Sequence, residues 1–167
     1  MIFRMPDGTG RSTVKTQLVS LLDLYPTILE LAGAPYPVNQ RPPRPATWPF
    51  QTAHHPDGES LLPLLRGQEV TWRDAVVSEF HGLYDNSCVM RTMRYGRYKF
   101  GYTFLGQDEL YDLENDPYEM TNLADDPAHA RAVEDMRARL WAWMQETGDS
   151  AATGFHVTRY GRRANVP

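Results

Sequence analysis

The clearest pattern in this chain is an alternation of apolar and polar residues in its central part. Residues 75–80 are rich in β-branched side chains, and residues 97–104 alternate aromatic residues with others at a period of two. Such alternation is typical of strands that pack one face. Together with residues 88–93 and 109–113, it predicts four sequential strands. The links between the strands are short, which predicts an antiparallel sheet.

The sequence after these strands has the periodicity of a helix. Asp126 and Pro127 suit the cap and the first position of a helix, and Thr147 with Gly148 predicts its end. Apolar residues recur at helical spacing between these ends and predict one face that packs on the sheet. They are Val133, Met136, Leu140 and Met144, with Trp143 beside them. The fold class is therefore α+β, with a four-stranded antiparallel sheet covered by a long C-terminal helix.

The N-terminal part contains shorter elements. Residues 1–5 form a short apolar strand candidate, and residues 60–65 form an apolar helix or turn. Asp23 is predicted to cap a helix by accepting from an amide of the first turn, with Pro26 inside that turn. A role of Asp23 in a site is the alternative. The helix has one apolar face, made of Leu24, Ile28, Leu31 and Ala32, and ends at Gly33.

Residues 34–57 contain seven prolines, which predicts an extended, irregular loop. Its aromatic residues and arginines allow two interpretations. The loop could wall a pocket, with aromatic surface for a sugar or ring and arginines for sulfate or phosphate. Alternatively, it could be a solvated insertion packed by its own aromatics. His54 and His55 do not share a face, and only Asp57 and Glu59 are nearby carboxylates, so we predict no metal site. The residues in question are Arg41, Arg44, Trp48, Phe50, His54 and His55.

Composition narrows the classes of partner. The formal net charge of -4 argues against a nucleic-acid-binding module. No apolar run approaches the ~20 residues that cross a bilayer, and residues 1–6 lack the apolar core of a signal peptide. We therefore expect neither nucleic acid nor membrane as a partner. The single cysteine, Cys88, excludes an intrachain disulfide and is interpreted as a packed thiol.

Three groups of residues stand out in order along the chain, and together they resemble one protein family. The groups are Leu18 to Thr27 with Leu31-Ala32-Gly33, then Asp57 to Leu65, then Arg97-Tyr98-Lys99 with Glu109 to Leu113, Asp116-Pro117-Tyr118-Glu119 and Asn122-Leu123. In this order they resemble the C-terminal portion of type I, formylglycine-dependent sulfatases of the alkaline-phosphatase-like superfamily. The resemblance covers roughly residues 1–150.

The resemblance and the composition together predict a division of the chain into four parts. By the resemblance, residues 1–33 correspond to the end of a sulfatase catalytic domain and residues 75–148 to the C-terminal sulfatase subdomain. Residues 34–74 are a proline-rich loop and short helix connection. Residues 149–167 have no periodicity and are predicted to form an extended or partly disordered tail that could dock on a partner domain. The α+β sheet and helix are then preceded by the final strand and helix pieces of an α/β catalytic domain.

The resemblance also indicates what this chain lacks. In type I sulfatases a formylglycine made from a cysteine attacks sulfur, and a calcium ion held by Asp and Asn neutralises the sulfate oxygens. Cys88 lacks the proline and spacing of that cysteine motif, and the metal-binding aspartates have no match. No catalytic residue and no cofactor is therefore assigned to this chain. Calcium and formylglycine are expected in the missing catalytic part, and the chain alone is expected to be inactive.

Two residues are candidates for substrate binding. His81 follows the strand at residues 75–80 and could hydrogen-bond a leaving-group hydroxyl; Arg91 could pair with a carboxylate or sulfate. A structural role is the alternative for each, and for Arg91 it means pairing with Glu or covering apolar surface. The implied partners are an N-terminal sulfatase catalytic domain and a sulfated small molecule or glycan. The alternative functions are a phosphonate or phosphodiester hydrolase of the same superfamily, and a stand-alone, non-catalytic binding module.

Overall fold

The structure, a computed structural model, describes residues 1–35, 58–82 and 89–155. The chain divides into two compact units. One comprises Met1–Pro49 and Ala53–Asp74, and the other Phe50–Thr52 and Ala75–Pro167. Nearly all of the proline-rich loop, with the arginines, aromatics and histidines singled out above, lies outside the described residues, as do Cys88 and residues 83–87. The four-part division drawn from the resemblance remains a prediction.

The second unit is built on a four-stranded antiparallel sheet with the strands in chain order. The strands are β1 (Ala75–Phe80), β2 (Met90–Tyr95), β3 (Tyr98–Thr103) and β4 (Glu109–Asp112). Each strand pairs with the next, as expected for strands joined by short links. The predicted strands are confirmed, although β2 begins and ends two residues later than the sequence pattern indicated.

Helix α3 (Ala130–Thr147) packs against β2 and β3. Its buried residues are Val133, Met136, Leu140 and Met144, the four that the helical spacing predicts. On the sheet side, the same core contains Met93, Phe100, Tyr102 and Leu110. The predicted α+β architecture, a four-stranded sheet covered by a long helix, is therefore confirmed.

The ends of α3 follow from local chemistry. The Asp126 side chain accepts from the amide of Ala128 at 2.9 Å and caps a 3₁₀ turn, Pro127–His129, that leads into the helix. At the other end Gly148 takes a left-handed conformation, with φ 65°, and terminates the helix. The start and end of the helix were thus both readable from sequence. The 3₁₀ form of the first turn was not.

The segment after α3 differs from the extended tail that the sequence predicted. Residues 152–155 form a helical turn, and Phe155 is fully buried. Its ring lies 4.7 Å from that of Tyr102, edge to face, and stacks with Trp141. The prediction of an extended tail is therefore wrong for residues 149–155. A single aromatic anchor has no periodicity, so the pattern gave no sign of the turn.

The first unit contains a 3₁₀ turn (Leu21–Asp23) followed by α1 (Leu24–Leu31), and later α2 (Leu62–Leu65). Residues 1–5 form no strand, contrary to prediction. A strand requires a neighbour to satisfy its backbone groups, and among the described residues none pairs with this segment. The short apolar helix predicted at residues 60–65 is confirmed as α2.

Asp23 is a structural residue, but its contacts differ from the predicted ones. Its carboxylate accepts from the amides of Ser20, at 2.7 Å, and Glu59, at 2.9 Å, and from both terminal nitrogens of Arg73. It makes no side-chain hydrogen bond to the first turn of α1. The predicted cap of α1 is therefore wrong, because Ser20 and Asp23 form a reciprocal capping box on the preceding 3₁₀ turn. Asp23 therefore connects its own 3₁₀ turn to the segments that contain Glu59 and Arg73.

A close backbone approach explains a glycine beside this carboxylate. A Cβ atom at Gly58 would lie only 2.2 Å from the carbonyl oxygen of Leu22. Only glycine can bring the chain this near to the 3₁₀ turn. The neighbouring Glu59 amide is thereby placed on Asp23.

Candidate functional site

The two predicted site residues lie at one end of the sheet, where β1 ends and β2 begins. His81 directly follows β1, and its Nε2 lies 2.9 Å from Oε2 of Glu79. Residues two apart in extended backbone project to the same side, which is why these two side chains meet. The His81 side chain is 61% exposed, so a ligand could reach it. Its role in binding remains a prediction.

Arg91 lies on β2 directly opposite Glu79, and its side chain is fully buried. Its Nε and Nη2 donate to the two carboxylate oxygens of Asp149, at 2.6 Å and 2.8 Å. Its Nη1 donates to the Met90 carbonyl at 2.9 Å and reaches the Phe80 carbonyl at 3.4 Å. All three guanidinium nitrogens therefore have acceptors within the protein.

Glu79 joins the two predicted residues. Its Oε2 lies 3.5 Å from Nη2 of Arg91 and 2.9 Å from Nε2 of His81. We call Glu79, His81, Arg91 and Asp149 the Glu79 cluster. The cluster runs from the buried Asp149 through Arg91 and Glu79 to the exposed His81. Arg91 holds Glu79, and Glu79 in turn orients the imidazole.

Asp149 was not among the predicted site residues, because it falls in the segment interpreted as a tail. A weak signal was present in the sequence. A carboxylate just beyond the C-terminus of a helix faces the negative end of the helix dipole, which is unfavourable without a cation nearby. Asp149 follows the cap residue Gly148, and Arg91 is that cation. The signal indicates a cationic partner but not which one.

The electrostatics of this pair are settled by two opposing effects. Burial alone would raise the pKa of the Asp149 carboxyl. The hydrogen bonds that Asp149 accepts from Arg91 and from the amide of Ala151 lower its pKa by more than burial raises it. The nearby Arg91 and His81 lower it further by their charge, so the pKa of Asp149 lies below its ordinary value. Asp149 is therefore ionised at neutral pH and keeps Arg91 in place.

The described residues contain no candidate site for the calcium ion of type I sulfatases. Within residues 1–35, 58–82 and 89–155, no group of three or more His, Cys, Asp or Glu residues is placed to hold a metal ion. The Glu79 cluster brings two carboxylates to an arginine and a histidine, which suits hydrogen bonding to a polar ligand.

Among the residues that the structure describes, no helix is both long and apolar enough to span a bilayer.

Residues 48–146 match the family described as N-sulphoglucosamine sulphohydrolase, C-terminal. Among curated relatives, the choline-sulfatase of Rhizobium meliloti is 35% identical over 128 residues, which cover 73% of this chain and 22% of that protein. The solved structure of a 2-O GAG sulfatase has a TM-score of 0.63 and 33% identity, covering 78% of this chain and 26% of that one. The phosphonate monoester hydrolase of Agrobacterium radiobacter has a TM-score of 0.61 and 28% identity, covering 80% and 26%.

The matched region includes the whole of the four-stranded sheet and nearly all of α3. The first three curated relatives are much longer than this chain, which spans between 22% and 33% of their length. The fold of the second unit and the order of the motifs agree with this assignment. The chain therefore belongs to the family of N-sulphoglucosamine sulphohydrolase C-terminal domains, among the sulfatases of the alkaline-phosphatase-like superfamily.

Proposed function

We propose that this chain is the C-terminal part of a sulfatase, which completes the fold of the enzyme and contributes a wall of its substrate pocket. The observation that carries the proposal is the family match over the sheet and helix. The chain supplies neither the nucleophile nor the metal ligands. Calcium and formylglycine belong to an N-terminal catalytic domain, and we call this domain joined to the present chain the complete enzyme.

His81 is proposed to contact the leaving group of a sulfated small molecule or glycan. Its exposed imidazole is held by Glu79, and an oriented imidazole binds a hydroxyl better than a freely rotating one. Because Nε2 faces Glu79, the ligand would be bound through Nδ1. Arg91 is proposed to act by positioning Glu79, since a direct contact with a sulfate would require displacement of Asp149.

A phosphonate monoester or phosphodiester hydrolase is the second candidate. The observation that favours it is the likeness to the phosphonate monoester hydrolase of Agrobacterium radiobacter. The two candidates share a fold and differ in the nucleophile, which lies outside this chain. A stand-alone binding module is a third candidate, and it predicts that no catalytic domain accompanies the chain.

The proposed function is tested by assaying the chain alone and the complete enzyme on an aryl sulfate and on a phosphonate monoester. We expect no turnover by the chain alone, with or without calcium. The complete enzyme is expected to prefer the sulfate ester. Activity of the chain alone that Cys88→Ala abolishes would make Cys88 a nucleophile and contradict the proposal. A preference of the complete enzyme for the phosphonate would establish the second candidate.

A further inference from the structure

Phe104 is an aromatic residue at the same end of the sheet as the Glu79 cluster. It directly follows β3, and its amide donates to the carbonyl of Val89, just before β2, at 2.8 Å. His81 follows β1, which pairs with the other edge of β2. The backbones at His81 and Phe104 are therefore about two strand spacings apart, roughly 10 Å.

The two side chains also lie on the same side of the sheet, and the segment after α3 supports both. At His81, the Glu79 cluster is bound to this segment through Asp149. At Phe104, the same segment contributes Gly154, where a Cβ atom would lie 2.8 Å from Cε2 of the phenylalanine ring. One short segment thus contacts the ring and, through the cluster, holds the imidazole.

The Phe104 ring is supported on one edge and partly exposed. Phe104 is 38% exposed, although a phenylalanine gains most free energy from full burial. The missing Cβ of Gly154 lets the backbone come close to the ring. Beside it, Leu105 has a left-handed backbone with φ 59°, which is uncommon for leucine and costs free energy. Stability of the fold accounts for neither the exposed ring nor the strained turn.

We propose that Phe104 is a specificity-determining residue, on which the apolar face of a sugar ring stacks while a hydroxyl of the same sugar binds His81. This inference rests on the proposed function and assigns the leaving group to one chemical class, the pyranose sugars. The C–H face of a pyranose packs on an aromatic ring, and its hydroxyls need polar groups beside that ring. Phe104 supplies the first, and the Glu79 cluster supplies the second.

Other leaving groups use only part of this surface. A quaternary ammonium is attracted to an aromatic face, but it offers no hydrogen bond to the imidazole of His81. A plain aryl group stacks on the Phe104 ring and also makes no hydrogen bond to His81. A pyranose contacts both residues at once, because it bridges much of the roughly 10 Å between their backbones. The pairing of the two residues therefore favours a sugar.

The test is Phe104→Leu in the complete enzyme, assayed on a panel of monosulfated hexoses, hexosamines and hexuronates. Leucine keeps apolar bulk but removes the flat aromatic face. Stacking acts equally on the bound substrate and the transition state. The KM of the best sulfated sugar should therefore rise about tenfold, with kcat changed by less than about twofold. The Ki of the desulfated sugar should rise in parallel, whereas that of inorganic sulfate, which has no leaving group, should stay unchanged.

The matched control is Tyr118→Leu, which removes an aromatic residue that is 83% exposed. Tyr118 is next to Glu119, which pairs with Lys99 at the opposite end of the sheet. None of the three constants should change in this variant.

Two further variants decide the question if Phe104→Leu does not fold. Phe104→Tyr retains the ring and should keep KM within about twofold of wild type. Gly154→Ala places a Cβ against the ring and should turn it away, which costs little stability because a side chain can rotate. It should therefore raise the KM of the sugar, as Phe104→Leu does, and leave the Ki of inorganic sulfate unchanged.

Three outcomes separate this inference from the proposed function. A sugar KM that neither Phe104→Leu nor Gly154→Ala raises, or an equal rise in the Ki of inorganic sulfate, would overturn the role of Phe104. A wild-type enzyme that hydrolyses choline sulfate or an aryl sulfate, but no sulfated sugar of the panel, would overturn the assignment to sugars and leave the proposed function intact. A wild-type enzyme that hydrolyses no sulfate ester would instead reject the proposed function.

Discussion

Asp149 and Arg91 lie 58 residues apart in the chain and form a two-point ion pair, with both carboxylate oxygens on the guanidinium. The pair joins the segment after α3 to the second strand of the sheet. The Arg91 side chain is fully buried and that of Asp149 nearly so. This pair fastens the helix end to the sheet, and it supports the exposed His81 through Glu79.

Removal of one member of this pair should be costly. Asp149→Ala leaves the Arg91 charge buried without its main partner, and the expected loss in free energy of unfolding is about 3 to 5 kcal/mol. The control is Asp135→Ala, which removes an exposed pair with Arg139 worth less than about 1 kcal/mol. Urea denaturation of the two variants measures the difference. Equal and small losses would show that Asp149 does not hold Arg91 in solution.

The stability of the first unit should fall in acid through Asp23. Burial opposes ionisation of this carboxyl, but the hydrogen bonds from Arg73 and the amides of Ser20 and Glu59 prevail and lower its pKa. Its stabilising contribution is then complete above the ordinary aspartate pKa of about 3.9 and is lost as the pH falls through the lower folded-state value. Unfolding of Asp23→Asn, followed from pH 7 to pH 2, should show a weaker dependence on pH below about 4. The same acid dependence in wild type and variant would rule out this contribution.

The buried apolar residues of α3 should contribute strongly to the stability of the second unit. Met136→Ala and Leu140→Ala each remove buried contacts with the sheet and should destabilise the chain by about 2 to 5 kcal/mol. Met120→Ala is the matched control, because Met120 is 81% exposed, and it should change stability by no more than about 0.5 kcal/mol. Thermal unfolding separates the two classes. If neither core substitution changed the Tm, Met136 and Leu140 would not pack against the sheet as described.

His81 should affect binding more than folding in the complete enzyme. His81→Ala should lower kcat/KM on a sulfated sugar by a factor that corresponds to about 1 to 3 kcal/mol, the loss expected for one hydrogen-bonding partner. A small aryl sulfate without distal hydroxyls should be affected much less. His129→Ala is the control, since His129 pairs with Asp126 at the start of α3 and is not in the Glu79 cluster.

A further variant checks how His81 is held. Glu79→Gln keeps the shape of the side chain but removes its charge. It should therefore weaken binding of the same substrate, as His81→Ala does. NMR of the ring nitrogens at a pH where histidine is neutral should show Nε2 protonated in the wild-type chain, because that nitrogen faces Glu79. If His81→Ala lowered kcat/KM equally on the sulfated sugar and on the aryl sulfate, or only in parallel with a loss of folded protein, the role of His81 would be structural.

The sequence alone determined the architecture of the second unit. Period-two alternation placed the four strands, and helical spacing identified Val133, Met136, Leu140 and Met144 as the buried face of α3. The capping role of Asp126 and the end at Gly148 were also readable. These features depend on neighbours within a few residues, so the local pattern contains them.

Only the tertiary structure decided the features that depend on distant neighbours. Asp23 binds Glu59 and Arg73, and Arg91 binds Asp149, across 36 to 58 residues of sequence, and no local pattern indicates these partners. Phe155 is buried because Tyr102 and Trp141 surround it, although its own segment has no periodicity. The pattern also identified an apolar side of α1 but not its direction. The buried hydrogen bonds of Asp23 and Thr27 set the direction in which that side points. The sequence could not predict it, because hydrophobic periodicity shows which residues share a face of a helix but not which part of the protein that face contacts.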